Sequence, residues 1–204
     1  MRKLKRDFYV RDSVTVAREL LGKYLVHEID NTRIISKFVE VEAYMGPMDK
    51  AAHSYNNRRT ERTEVMFGPG GFAYVFIIYG MYNCMNIVTA HIGQPQAVLI
   101  RAVEPIEQCE IMSQFRYKKP FSELNKTAVK GLTNGPGKLC DAMGITRAHN
   151  GLDLCGNELY ILEDEKPERI EIVTSKRINI DYAEEAIDYP WRFYIKDNKY
   201  VSKK

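Results

Sequence analysis

The alternation of apolar and polar residues predicts two strands near the beginning of the chain. The runs KYLVHEI and RIISKFVEVEAYM are separated by the turn-forming residues DNT. Successive side chains of a strand point to opposite faces, so we expect Val39, Val41 and Ala43 to share the face that joins the core. The opposite face is predicted to carry four residues, which are Phe38, Glu40, Glu42 and Tyr44.

The remaining pattern predicts helices early and in the middle of the chain, with further strands around them. DSVTVARELLG predicts a helix capped by Asp12 or Ser13, and IEQCEIMSQFRY, SELNKTAVKGL and KLCDAMGI predict later helices. FAYVFIIYG and MYNCMNIVTA predict two strands that bend near Tyr79 and Gly80. AVLIRAVEP predicts another strand, and LYILED, ERIEIVTSKRINI and WRFYI alternate again.

Strands gathered at both ends of the chain around a helical centre predict an α+β fold rather than repeated βαβ units. We expect one compact domain over residues 1–204, in which helices surround a mixed or antiparallel curved sheet with a protruding β-hairpin. Residues 45–71 lack strand alternation and are rich in Gly, Pro, Asn, Arg and Asp. A stretch of this length predicts a functional loop or a disordered one.

The distribution of charge along the chain says more about possible binding partners than the overall composition does. The chain has 204 residues, is 45% hydrophobic and carries a formal charge of +3. Residues 111–147 hold seven Lys and Arg against two Asp and Glu, whereas residues 151–190 hold four against eleven. Such polarity could orient the protein on a polyanion, or both stretches could be ordinary solvated surface.

The cysteine pattern and the absence of long apolar runs predict a reduced, cytoplasmic protein that does not enter a membrane. The four cysteines show no CxxC spacing, so no zinc ribbon or iron–sulfur cluster is indicated. The opening MRKLKRDFYVRDS lacks the apolar core of a signal peptide, and no run reaches the roughly 18 apolar residues of a membrane span.

Glu40 and Glu42 are the first candidates for chemistry. Acids spaced by two on a strand are usually an exposed edge, but these two lead into the loop that holds His53, where a cleft could tune one of them as a base. Glu42 and His53 lack a third ligand at compatible spacing, so we reject a catalytic metal. Three arginines of this loop could be ordinary solvated surface or could bind DNA phosphates; they are Arg58, Arg59 and Arg62.

Aromatic and buried polar residues supply the second set of candidates. Tyr74, Phe76 and Tyr82 are common core material, but Tyr79 stands at the bend of the hairpin, where a protruding ring could act as a wedge between bases. Asn86 and Arg101 lie inside apolar strands, so each must find a polar partner or face a cavity. Lys138 lies near the start of a predicted helix and is a candidate phosphate contact.

Five segments resemble the alkyladenine (3-methyladenine) DNA glycosylases of the mammalian type, which also occur in bacteria. These are VEVEAYMGPMDKAAHS, GGFAYVFIIYGMYNCMNI, VLIRAVEP, GPGKLC and WRFYI. The resemblance implies a monomer without cofactor that binds double-stranded DNA, including the bacterial nucleoid, bends it through the minor groove and flips out a damaged purine. It then hydrolyses the N-glycosidic bond. Implied substrates are 3-methyladenine, 7-methylguanine, hypoxanthine and ethenoadenine.

The resemblance also implies a role for each matching residue. Glu42, rather than Glu40, would activate water, and Arg101 would position the backbone and the water. The flipped base would meet four side chains, which are Tyr44, His53, Phe76 and Asn86. Of these, Tyr44 and His53 would sandwich the base, and Asn86 would collide with the exocyclic amine of normal guanine. The DNA itself would meet Tyr79, Gly80, Met81, Tyr82, Arg58, Arg59 and Lys138.

One departure from the family pattern concerns the hairpin motif. Mammalian members have a tyrosine where this chain has Phe76, so stacking is preserved but any hydrogen bond of the hydroxyl is lost. No lysine of the motif block stands where a Schiff base would form, which predicts hydrolysis without strand cleavage. Two other hypotheses are a non-enzymatic module that stacks nucleic-acid bases and a hydrolase of free nucleosides.

Overall fold

The computed structural model describes residues 1–203, and its strands include all those that the alternation predicts. Within these residues the strands are β1 (Arg2–Lys3), β2 (Tyr24–Ile29), β3 (Thr32–Tyr44), β4 (Ala73–Ile78), β5 (Tyr82–Thr89), β6 (Gln96–Glu107), β7 (Leu159–Glu163), β8 (Ile172–Ser175) and β9 (Arg192–Ile195). The α-helices are α1 (Arg6–Tyr9), α2 (Ser13–Leu20), α3 (Cys109–Tyr117), α4 (Lys126–Lys130) and α5 (Pro136–Met143). Of these elements, only the short β1 and α1 were not predicted from the sequence.

The strands form one sheet in which every paired neighbour is antiparallel. Its order is β1-β7-β2-β3-β6-β5-β4, and β9 joins β3 to β8. Asp30 and Asn31 form the predicted turn between β2 and β3, both with positive φ, which short-side-chain polar residues tolerate best. The predicted α+β class is therefore confirmed, with an antiparallel sheet.

The register of four strands sorts their side chains into alternating rows that face opposite sides of the sheet. Directly paired residues point the same way, so each row has a single environment. Two rows enter the main core beneath α2, α3 and α5. The first row consists of Ala73, Ile87, Val98 and Ala43, and the second consists of Val75, Met85, Ile100 and Val41. The row between them faces the other side and consists of Tyr74, Asn86, Leu99 and Glu42. The fold thus places the polar candidates together, away from the helices.

A β-bulge corrects the predicted faces of β3. Phe38 pairs with Val103 and Glu40 with Ala102, so Val39 is an extra residue that has no partner of its own in β6. Phe38 therefore packs in the main core, and Val39 packs in a small separate cluster. The prediction for Phe38 and Val39 was wrong because strict alternation does not survive an inserted residue.

The helices follow the predicted positions with one exception. The Asp12 side chain accepts a hydrogen bond of 2.9 Å from the amide of Thr15 and caps α2 as predicted. The single helix predicted for SELNKTAVKGL is instead a 3-10 turn at Phe121–Glu123 followed by α4. Asn125 breaks the segment because its side chain accepts from the amide of Ala128 and starts a new helix.

The predicted loop of residues 45–71 is ordered by short 3-10 turns at Gly46–Met48, Tyr55–Asn57 and Glu64–Phe67. All four cysteines are free. Among residues 1–203, no helix has the length and apolar character needed to cross a membrane.

Candidate active site

A cavity of about 410 Å³ opens on the face of the sheet opposite the main core. Its volume lies within the range of about 300–1,000 Å³ that is usual for small-ligand sites. Strands β4, β5 and β6 form its floor, and the loop before β4, the segment 178–182 and the start of α5 form its walls. Seven of the predicted site residues line it, and they are Tyr44, His53, Phe76, Tyr79, Tyr82, Asn86 and Arg101. Of these, Tyr82 lies at the base of the hairpin.

Glu42 lies one layer behind the cavity and is completely buried. Its Oε1 accepts hydrogen bonds from the Ile178 amide at 2.8 Å and lies 3.3 Å from Nη1 of Arg101. Its Oε2 accepts from the Tyr44 hydroxyl at 3.0 Å. All three neighbours line the cavity, so Glu42 is separated from it only by the groups that it binds.

Burial raises the pKa of Glu42, and the charge of Arg101 opposes that rise. A carboxylate with a raised pKa is a better proton acceptor than a solvated one. Burial and the charge of Glu42 raise the pKa of Tyr44 well above its ordinary value, so this hydroxyl keeps its proton and acts as a donor. The geometry therefore suits a base held in a dry environment.

Glu40, in contrast, has its oxygens fully engaged by the protein. Oε1 accepts from Nε of Arg101 at 3.0 Å, from Nε of Arg192 at 2.8 Å and from the Ser202 hydroxyl at 2.9 Å. Oε2 accepts from the Ser202 amide at 2.6 Å. This carboxylate joins three elements of the fold and does not line the cavity. The assignment of Glu42 rather than Glu40 as the reactive acid stays a prediction, and these contacts favour it.

Aromatic rings form one wall of the cavity around His53. Its ring packs 4.7 Å from that of Phe76, and Nδ1 is hydrogen-bonded to the Tyr74 hydroxyl at 2.9 Å. Burial, followed by the charges of Arg62 and Arg58, lowers the pKa of His53 to about 4. The imidazole is therefore neutral at physiological pH and offers an uncharged surface for stacking.

Arg62 is the arginine of the loop that reaches the cavity. Its guanidinium lies 4.7 Å above the Phe76 ring, a cation–π arrangement. Arg58 lines an adjoining depression, and Arg59 forms an exposed ion pair with Glu64. The predicted DNA contacts included Arg58 and Arg59 but not Arg62, because spacing within an irregular loop does not reveal which side chain turns inward.

A buried ion pair that the sequence did not reveal holds the far wall. Asp49 and Arg177 have fully buried side chains joined by two hydrogen bonds of 2.6 and 2.8 Å. The Arg177 guanidinium also stacks 4.7 Å from the Tyr44 ring. The pair fixes the chain just before Ile178, whose amide binds Glu42. The two residues are 128 positions apart, so no local signal linked them.

The hairpin between β4 and β5 projects beside the mouth of the cavity. Tyr79 and Gly80 both have positive φ, as in the turn type that suits the twist of a hairpin. Tyr79 is 76% exposed and Met81 is 69% exposed. At the base of the hairpin, a Cβ on Gly137 would lie 2.9 Å from the Cβ of Tyr82, so only glycine permits this close approach of α5. The next residue, Lys138, binds the Asn134 side chain near the start of α5.

Comparison with known proteins identifies relatives over the whole fold. Residues 7–199 match the family model described as methylpurine-DNA glycosylase. A protein of Desulfitobacterium hafniense strain Y51, described as “Putative 3-methyladenine DNA glycosylase”, is 60% identical over 204 residues and all of both chains. A protein of Clostridium novyi with the same description is 61% identical over all of both chains. Another, from Alkaliphilus oremlandii, is 59% identical over 99% of this chain and all of its own.

The unequal contacts of the two buried acids predict unequal effects on stability. Replacing Glu40 with Gln removes the negative charge that faces Arg101 and Arg192 and puts an NH2 donor in place of one accepting oxygen, so it should lower the free energy of unfolding by roughly 3–5 kcal/mol. Glu42→Gln should cost much less, because burial already favours the uncharged form of this group.

Urea denaturation of both variants and the parent protein measures the difference. Glu171, an exposed acid paired with Lys196, serves as the control, and its Gln variant should change stability by less than about 1 kcal/mol. Equal losses at positions 40 and 42 would contradict the structural role given to Glu40.

Proposed function

The chain belongs to the methylpurine-DNA glycosylase family, and we propose that it hydrolyses the N-glycosidic bond of alkylated or deaminated purines in duplex DNA. The damaged nucleotide leaves the base stack and enters the cavity, which starts base excision repair. The substrates proposed are 3-methyladenine, 7-methylguanine, hypoxanthine and ethenoadenine. The protein acts as a monomer on the DNA of the bacterial cytoplasm.

The observation that carries this proposal is the buried carboxylate of Glu42 directly behind an aromatic cavity. In the proposed mechanism the flipped base displaces the Tyr44 hydroxyl from Oε2, which frees this oxygen to accept a proton from water. The water then attacks the anomeric carbon while the bond to the purine breaks through an oxocarbenium-like state. The purine leaves with the electron pair of that bond, and a neutral lesion such as hypoxanthine then takes a proton from solvent. The charge of Arg101 opposes the rise that burial causes in the pKa of Glu42, and its contact holds the carboxylate in place.

The charge of the departing purine decides whether the enzyme must also assist its departure. A purine alkylated at N3 or N7 carries a positive charge and departs without protonation, so a base and a stabilising field suffice. The face of Phe76 already attracts the guanidinium of Arg62, and Arg62 would withdraw as a cationic base takes its place. Among the described residues that line the cavity there is no lysine, which favours hydrolysis over a Schiff-base lyase reaction.

The hairpin and the loop arginines complete the proposed DNA interface. Tyr79 fills the gap that the flipped nucleotide leaves, supported by Gly80, Met81 and Tyr82. Phosphates lie along three basic residues, which are Arg58, Arg59 and Lys138.

Replacing Glu42 with Gln should lower the rate of base release by at least about 10²-fold while duplex binding persists, because only the proton acceptor is lost. The measurement uses single-turnover release from oligonucleotides that contain hypoxanthine or ethenoadenine, and from methylated genomic DNA. Glu171→Gln serves as the control, since this acid is exposed and outside the cavity.

The same assay separates the competing functions. Unchanged release by Glu42→Gln would refute the proposed mechanism. Binding without preference for damage and without base release would favour a non-enzymatic stacking module, and equal activity on free deoxyinosine would favour a nucleoside hydrolase.

Replacing Tyr79 with Ala should weaken binding to lesion-containing duplexes by roughly tenfold or more, because base stacking contributes about 1–3 kcal/mol. Fluorescence anisotropy measures the affinity, and thermal unfolding shows whether stability is preserved. Ile92→Ala is a matched control, because Ile92 is 74% exposed but does not line the cavity. Equal affinities of the two variants would remove the wedge role of Tyr79.

Replacing Asn86 with Ser should increase release of undamaged guanine. Nδ2 of Asn86 donates to the Tyr74 carbonyl at 3.2 Å, which holds the side chain on the cavity floor, where it would collide with the exocyclic amine of guanine. Long incubations with undamaged duplex DNA followed by analysis of free bases give the rate. No rise in guanine release, with release of hypoxanthine retained, would show that Asn86 does not exclude guanine.

A further inference from the structure

Two histidines and a glutamate converge at a place that the proposed reaction does not use. His27 lies on β2, Glu158 directly precedes β7, and His149 ends the 3-10 turn Arg147–His149. Each can offer a ligand atom such that the three atoms lie within 4.8 Å of one another. None of the three lines the cavity.

The backbone orients the buried member of this cluster. Nδ1 of His27 lies 2.7 Å from the carbonyl oxygen of Met143, which can only accept, so Nδ1 carries the proton. Nε2 therefore keeps its lone pair. A histidine that donates one ring N–H to a backbone carbonyl is in the arrangement that fixes the tautomer of metal-binding histidines.

His149 and Glu158 complete the cluster from the surface side. The two imidazole rings meet edge to face with centroids 4.8 Å apart, and Nε2 of His149 is 3.7 Å from Oε1 of Glu158. Nδ1 of His149 lies 3.1 Å from the carbonyl of Thr146, to which it can donate, leaving Nε2 to act as a ligand. In the other tautomer Nδ1 accepts from the Thr146 amide at 3.0 Å, and Nε2 carries a proton towards Glu158.

We propose that His27, His149 and Glu158 bind a divalent transition-metal ion, with zinc the best fit. Two imidazoles and one carboxylate form a common zinc ligand set, with bonds of about 2.0–2.2 Å and solvent in the fourth position. Tetrahedral ligands at this bond length are about 3.3 Å apart, so the ligand atoms must approach one another slightly. The side chain of Glu158 is 56% exposed and has the freedom to make that movement.

The position of the site gives it a structural role. Nδ1 of His27 donates to the carbonyl of Met143 at the end of α5, and the start of the same helix lines the cavity. Asn150, next to His149, accepts a hydrogen bond from the amide of Val75 on β4 at 3.0 Å. The metal ion therefore joins β2, β7, the end of α5 and the strand that leads into the hairpin. It stabilises the fold and takes no part in the chemistry of the cavity.

Titration of the EDTA-treated full-length protein with zinc chloride tests this site. Calorimetry should give one ion per chain, and thermal unfolding should shift upward with zinc concentration, because the ion binds the folded state. His149→Ala and Glu158→Gln should each weaken zinc binding by at least about tenfold and remove most of the thermal shift. Glu158→Gln replaces an exposed side chain, so it is expected to fold even if the other variant does not.

Two controls assign the site. His91→Ala removes an exposed histidine outside the cluster and should bind zinc like the parent protein. Cobalt should give the absorption of a tetrahedral nitrogen and oxygen site without a thiolate charge-transfer band. The proposal is overturned if the parent protein binds no zinc, if both cluster variants bind it unchanged, or if the cobalt spectrum shows thiolate ligation.

Release of hypoxanthine is a separate readout. It should be the same in the zinc-free and zinc-bound protein at a temperature where both are folded. A loss of release that depends on zinc would overturn the structural role, whereas the proposed glycosylase function is tested independently by Glu42→Gln.

Discussion

The arrangement of the candidate site depends on one guanidinium, that of Arg101, placed between two buried carboxylates. Nε binds Glu40 and Nη1 lies beside Glu42, and all three side chains are almost completely excluded from water. Removing such charges from water costs several kcal/mol for each ion, so the cluster is stable only when each charge has partners. Glu40 has further donors in Arg192 and Ser202, whereas Glu42 has fewer. Glu40 is thus held by more donors of the protein than Glu42 is.

The antiparallel sheet explains how apolar strands carry a polar cavity without weakening the core. Because side chains alternate, each strand contributes to the helix-covered face and to the cavity face at every second position. Val98 and Ile100 enter the core from β6, while Leu99 and Arg101 face the cavity. The same strands therefore support both the hydrophobic core and the site, so packing of the core also holds the backbone of the site in place.

The sequence predicted the parts of the site that local pattern controls. Asn86 and Arg101 were identifiable because a polar residue inside an apolar strand must have a partner or a cavity, and Tyr79 because it stands at the bend of a hairpin. Phe38 was assigned to the wrong face because a bulge at Val39 leaves no mark in the alternation. The contact between Asp49 and Arg177 was not predicted at all, because it forms only after the sheet has brought distant segments together. The strand pattern thus placed residues on the correct face except at the bulge, and it gave no sign of the contacts that only the tertiary structure makes.

The hydrogen bonds from Ser202 to Glu40 make the carboxy-terminal tail part of the support for the buried charges. The same carboxylate binds Arg101, which in turn contacts Glu42. Trimming the chain before this serine would therefore deprive Glu40 of two of its donors, beside Arg101 and Arg192, without touching a cavity residue.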